Sequence, residues 1–261
     1  MVKGLDMFTA HFRAFADRYV LIGGTACTVL MEEAGLDFRA TKDLDIVLCI
    51  EALDSTFVQA FWEFIRLGGY RNQQKSTAKK LFYRFHKPED PSYPAMLELF
   101  SRTPDALTLH EGSHLTPIPI AEEVSSLSAI LLNEDYYHLI LAGRRIVDGS
   151  PVVGQEYLIP LKARAWLELN AVRDAGTPIH SNDINKHRSD VFKLYQLLTP
   201  DTRIQLPESV REDLLRFLDL AEEQQAVNLA GIGLRNTTLA EVAPRSICFF
   251  SSCRACPSIS M

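Results

Sequence analysis

Arg39-Ala40-Thr41-Lys42-Asp43-Leu44-Asp45-Ile46-Val47-Leu48 is the stretch on which the reading of this chain turns. It runs from a polar approach into an apolar segment with the character of a buried strand, and Asp43 and Asp45 stand at its mouth. Side chains two apart in a strand leave from the same face. Both carboxylates therefore project together, while Leu44 and Ile46 face the core behind them. Two like charges that close repel unless something cationic sits between them. A divalent ion such as magnesium takes carboxylate oxygens and keeps positions open for substrate phosphates.

Upstream, Tyr19-Val20-Leu21-Ile22 is a short β-prone run and Ala26–Glu33 reads as a helix, which makes Gly23-Gly24-Thr25 a strand-to-helix turn. Backbone without side chains can approach a ligand closely. The helix start adds N–H groups and the positive end of its dipole, both suited to an anion. A phosphate cradle followed by a metal-holding carboxylate pair makes a nucleotide site. Neither half is specific alone, since Gly-Gly before a helix is usually a tight turn and most Asp-x-Asp pairs hold no metal.

In this order the two stretches resemble the nucleotidyltransferase superfamily, of polymerase-β-like fold. The closer likeness is to its AbiEii/AbiGii toxin-type branch, which includes the MenT toxins. Gly23-Gly24-Thr25 is similar to that family's first motif and Arg39-x-Thr41-x-Asp43-x-Asp45 to its second. Lys162, within Ile159-Pro160-Leu161-Lys162-Ala163-Arg164-Ala165, is similar to the third, and Lys186-His187-x-x-Asp190-Val191 to the fourth. The resemblance implies a transferase that moves an NMP from an NTP to a hydroxyl acceptor, with Mg2+ or Mn2+ held by Asp43 and Asp45. It implies phosphates cradled by Gly23, Gly24 and Thr25, with Arg39 and Thr41 leading into the carboxylates. Lys162 would face the triphosphate and Asp190 would close the site. Toxin-type relatives modify the 3′ ends of transfer RNA; other branches modify antibiotics or protein hydroxyls. A toxin of this kind would have a cognate antitoxin protein. Two readings from other classes use the same residues: a γ-phosphate transferase, and a non-catalytic nucleotide-binding or interaction protein.

Glu98 also stands out, as an acid inside the apolar run Ala95–Phe100. Buried charge is costly unless paired or bound to metal. On a strand beside Asp43, it would be a third carboxylate ligand or the base for the attacking hydroxyl; the superfamily often has such a third carboxylate, commonly aspartate. Strand alternation also allows Glu98 to point to water while Leu97 and Leu99 face the core. Lys79, Lys80 and Arg84 form a positive cluster that would meet a triphosphate or a nucleic-acid backbone, or would be the exposed side of a strand.

The 261 residues are 47% hydrophobic and 23% charged, ordinary values for a globular protein with a real core. A net charge of -6 argues against a globally basic nucleic-acid binder while leaving room for a local basic groove. No apolar run approaches the ~18–20 residues that span a bilayer. Met1-Val2-Lys3-Gly4-Leu5-Asp6 lacks the apolar block of a signal peptide, so no membrane and a cytoplasmic location are expected. Among five cysteines, Cys27 and Cys49 have apolar neighbours and read as core. Cys248, Cys253 and Cys256 lie in the tail, where Cys253-Arg-Ala-Cys256 has no second ligand pair at zinc spacing.

The expected fold is α+β: a small mixed sheet flanked by helices, with a helical C-terminal subdomain. Apolar spacing predicts a helix over 5–17 and another through Phe57, Phe61 and Ile65. Strands are expected at 81–85, 95–100 and 127–132, and a helix from Asp135. Residues 148–157, with Gly149, Pro151 and Gly154, read as a loop. That loop divides a core over 1–148 from a helical subdomain over 149–230, followed by a tail over 231–261. In the subdomain, Pro160 opens one helix, Ser181 or Asp183 caps the next, and Glu208–Gln225 forms a third.

Overall fold

The computed structural model describes residues 2–49, 54–70, 82–100, 133–199 and 201–223, together with 231 and 234. Among them are seven α-helices and one six-stranded mixed sheet, so the chain is a mixed α/β protein. It divides into two compact units, one through Gly154 and one from Gln155. The strand expected at 127–132, Lys79, Lys80 and the three tail cysteines lie outside the described residues.

In the first unit, α1 (Leu5–His11) is followed by a short 3-10 turn over Arg13–Phe15. The single helix expected over 5–17 is therefore broken at Phe12, whose φ of -97° and ψ of 14° leave the helical region. Strand β1 (Tyr19–Ile22) leads directly into α2 (Gly23–Glu33), and β2 (Asp43–Leu48) returns antiparallel to β1. Next comes α3 (Ser55–Leu67), started by Asp54, whose Oδ1 accepts the Phe57 N–H at 3.0 Å. Then follow β3 (Phe82–His86), β4 (Met96–Phe100) and α4 (Glu134–Ala142), the last capped by Asn133.

The final pair, β5 (Arg144–Val147) and β6 (Ser150–Val153), forms an antiparallel hairpin and corrects the expected loop at 148–157. Asp148 and Gly149 both take positive φ, 47° and 77°, as a tight hairpin turn of matching twist requires. Of the residues that read as a break, Gly149 lies at the hairpin tip and Pro151 lies within β6, paired with Ile146. Because β6 also pairs with β1 through Leu21 and Val152, the first unit extends to Gly154.

The strand order is β3-β4-β2-β1-β6-β5. Register places Tyr19, Leu21, Leu44, Ile46, Leu48, Leu97, Leu99 and Phe85 on one face. That face is covered by aromatic side chains of α1 and α3. Phe8 meets Tyr19 edge-on at 5.4 Å, and Phe61 meets Phe85 at 5.5 Å, a favoured ring geometry. Phe8, Phe12, Phe57, Phe61 and Phe64 are all fully buried, so this is the core of the unit. Cys27 and Cys49 are both buried and in no disulfide, and Cys49 Sγ accepts from Arg144 Nη1 at 4.0 Å.

The second unit contains α5 (Gln155–Asp174), α6 (Ser181–Tyr195) and α7 (Glu208–Glu223). Trp166 of α5 meets Phe217 of α7 edge-on at 5.3 Å, and Phe192 of α6 lies 6.0 Å from the same ring. Two expectations are corrected here. Helix α5 begins at Gln155 and carries Pro160 inside it, giving up one backbone bond near its start where few are yet formed. Neither Ser181 nor Asp183 caps α6: His180 occupies that position without a side-chain bond. Asp183 instead sits in the first turn, where the helix dipole favours an acid, and pairs with Lys186 at 3.4 Å. No helix among the described residues is long and apolar enough to cross a membrane.

Candidate active site: an acidic row beside a glycine turn

The sheet face opposite the aromatic core carries charge. Strand β2 alternates as its sequence predicts, with Asp43 and Asp45 half-buried while Leu44 and Ile46 are sealed. Strand β4 runs parallel to β2 with Glu98 in register with Asp45, and β3 runs antiparallel to β4 with Arg84 in register with Glu98. In-register residues share a face. Arg84, Glu98 and Asp45 therefore form a row across three strands, with Asp43 two residues along from Asp45.

Glu98 is in register with Asp45, as the sequence reading required, and it is buried rather than turned to water. Its Oε1 accepts from Arg84 Nε at 2.7 Å and also pairs with a terminal nitrogen of the same guanidinium. In sequence, Arg84 groups with Lys79 and Lys80 as a positive cluster. A cation and an acid each interrupting neighbouring apolar strands was the signal that could have paired them.

The glycine turn is packed against this row. Ile22 is extended, and Gly23 then takes φ +64°, the left-handed region that disfavours side chains. A Cβ at Gly23 would overlap the Asp45 carboxylate. A Cβ at Gly24 would lie 2.8 Å from Thr41 Oγ1 and 3.6 Å from an Arg39 guanidinium nitrogen. The two glycines let Asp45, Thr41 and Arg39 approach the start of α2. That turn is the first turn of the helix itself, so its leading N–H groups lack intrahelical partners. Thr25 is completely buried and its hydroxyl donates to the Asp43 carbonyl at 2.6 Å, fastening helix start to strand. The Thr25 hydroxyl proton is committed to that bond, which leaves the backbone N–H as its donor at the helix start.

Two half-buried carboxylates on one strand face, against a turn that a Cβ would fill, suit a hard divalent ion such as Mg2+ or Mn2+. Among the described residues no set of three or more His, Cys, Asp or Glu side chains is gathered closely enough to hold a metal ion. Magnesium commonly takes one or two carboxylates and completes its shell from phosphates and water, so a pair such as Asp43 and Asp45 would suffice to hold it.

The remaining expected site residues belong to the second unit and pair with each other. Lys162 Nζ donates to Asp190 Oδ2 at 3.0 Å, with the side chains only 6% and 1% exposed. Lys186, on the same helical face as Asp190, pairs with Asp183 at 3.4 Å. In the same unit, Arg164 bridges Glu168 and Asp213, the latter through both carboxylate oxygens at 2.9 and 2.8 Å. Burial pushes the Glu168 carboxyl up, against the pull of Arg164. Arg188, which sequence reading passed over, is also buried, and burial lowers its pKa.

The fold and this face together define a mixed α/β protein with an acidic row set against a glycine turn. No protein-family model matches the sequence, and no curated protein matches it either.

Gly23→Ala and Gly35→Ala separate the two demands on Gly23. Both glycines have positive φ, +64° and +69°, but a Cβ at Gly35 meets nothing within 4 Å. Each substitution is expected to cost about 1–2 kcal/mol of backbone strain in thermal unfolding. Only Gly23→Ala should also displace the Asp45 carboxylate, and hence weaken Mn2+ binding in a titration by tenfold or more, about the loss expected of a disturbed ligand. Equal binding in the two variants would mean that the close approach at Gly23 has no bearing on the site.

Proposed function

We propose that this protein is a metal-dependent nucleotidyltransferase that moves an NMP from an NTP to a hydroxyl acceptor. The observation that carries the reading is the apposition of Gly23 to Asp45, which brings an anion-favouring helix start against a carboxylate pair on one strand face. The antiparallel β1–α2–β2 arrangement and the parallel β4 beside it support a nucleotidyltransferase core. The resemblance of Gly23-Gly24-Thr25 and Arg39-x-Thr41-x-Asp43-x-Asp45 to the AbiEii toxin-type motifs supports it independently.

In this reading Asp43 and Asp45 hold Mg2+ or Mn2+, which when bound would offset charge on the triphosphate and acidify the incoming hydroxyl. The backbone N–H groups of Gly23, Gly24 and Thr25 bind phosphate oxygens at the start of α2. Arg39, beside Gly24, adds a guanidinium suited to the same phosphates. The hydroxyl oxygen of the acceptor gives up its proton to water and forms a bond to the α-phosphorus, and the bond from that phosphorus to the departing pyrophosphate breaks. Asp43 and Asp45 orient that in-line arrangement from one side of the helix start. The acceptor rests on the resemblance alone, with the 3′ end of transfer RNA first and a protein hydroxyl second. A cognate antitoxin rests on the same ground.

The test is to incubate the protein with Mg2+, total RNA and cell lysate, giving each NTP in turn labelled at the α- or the γ-phosphate. Label from the α-position on RNA or protein, absent with Asp43→Ala, is the expected result. Label from the γ-position alone would make the protein a phosphotransferase. No transfer with NTP binding intact by calorimetry would make it a non-catalytic nucleotide-binding protein.

A further inference from the structure

We infer that Arg84 withholds Glu98 from metal coordination, so that the acidic row takes a divalent cation through Asp43 and Asp45 alone. The inference rests on the metal-site part of the proposed function and departs from a three-carboxylate site, in which Glu98 would be a ligand.

The argument begins with register. Asp45, Glu98 and Arg84 are neighbours across three consecutive strands, so the guanidinium and the two carboxylates compete for one another on a single face. Arg84 resolves that competition in favour of Glu98. Its Nε and a terminal nitrogen both engage Oε1, and Glu98 is 9% exposed. A charge-assisted contact of this kind is among the stronger hydrogen bonds available to a carboxylate. Among the described residues, the Glu98 carboxylate forms no other hydrogen bond or ion pair.

Charge gives a second reason. A cation drawn in by Asp43, Asp45 and Glu98 together would meet the fixed positive charge of Arg84 next in line. With Arg84 and Glu98 neutralising each other, Glu98 adds no net negative charge to the face beside Asp43 and Asp45. Arg84 is therefore a positioning residue: it acts on the cation site through Glu98, and it keeps a buried acid compensated that would otherwise crowd Asp45.

The experiment is a titration of the full chain with Mn2+ alone, following loss of the free-ion electron paramagnetic resonance signal. Asp43→Asn and Asp45→Asn are expected to weaken binding by about tenfold or more. Glu98→Gln, nearly the same shape and able to keep a bond to Arg84, is expected to bind within about threefold of the parent. Arg84→Met should tighten binding by at least about threefold, because Glu98 is released to the cation. That gain should vanish in Arg84→Met with Glu98→Gln, which distinguishes a released ligand from simple loss of a positive charge. If Arg84→Met does not fold, Glu98→Gln still decides: a loss equal to that of Asp45→Asn makes Glu98 a ligand and overturns the inference. Absence of Mn2+ binding by the parent overturns the metal reading and the inference with it.

Discussion

Asp43→Ala and Asp45→Ala are each expected to reduce nucleotidyl transfer on the order of 10³-fold or more, with the melting temperature within about 3 °C of the parent. The two halves of this expectation come from opposite faces of one strand. The core side of β2 is carried by Leu44, Ile46 and Leu48, which both variants leave intact. The fastening of α2 to β2 also survives, because Thr25 bonds the backbone carbonyl of Asp43 rather than its carboxylate. Removing one of two neighbouring like charges relieves repulsion in the metal-free protein. The loss therefore falls on cation and phosphate binding. Labelled-NTP transfer and thermal unfolding, run on the same preparations, check the two halves separately. Should both variants unfold, the carboxylates are structural and the catalytic reading is lost.

The second large effect concerns stability. Lys162→Met and Asp190→Leu are each expected to cost about 3–5 kcal/mol, because each removes an ion-pair partner from a buried charge. At this chain length that is on the order of a 10 °C fall in melting temperature. The double variant should lose clearly less than the sum of the two, since it removes both charges and substitutes apolar side chains of similar volume. Denaturant unfolding of the four proteins measures the coupling. If the single variants stay within about 1 kcal/mol of the parent, the pair is solvated enough to be dispensable. The resemblance assigns Lys162 a triphosphate as partner, whereas the structure pairs it with Asp190 at 3.0 Å. A large coupling energy would show how strongly that pair opposes any other partner for the lysine.

Periodicity made much of this legible. Alternation in Asp43–Leu48 identified both the strand and the shared face of its carboxylates, because a pleated strand leaves side chains no other choice. The amphipathic helix through Phe57, Phe61 and Ile65 was equally readable, since a 3.6-residue repeat has one apolar face to bury. Punctuation misled where a residue type serves two purposes. Gly149 and Pro151 announce a break in the chain, yet in this protein they shape a hairpin whose second strand pairs with β1. Pro160 announces a helix start, yet helix α5 already runs from Gln155.

The sequence by itself determined the local elements around the site: strand β2 with its two projecting acids, the glycine turn, and the helix that the turn starts. Spacing along one segment is enough for these, because backbone geometry converts it directly into direction. Only the tertiary structure decided what each charge meets. Glu98 comes beside Asp45 through parallel pairing of strands separated by a whole helix and another strand, and Arg84 claims it from the far side. Lys162 meets Asp190 because two helices pack, and Gly23 must lack a side chain because Asp45 lies against it. A carboxylate's partner is set by which element packs next to it, and no periodicity within a single segment encodes that neighbour.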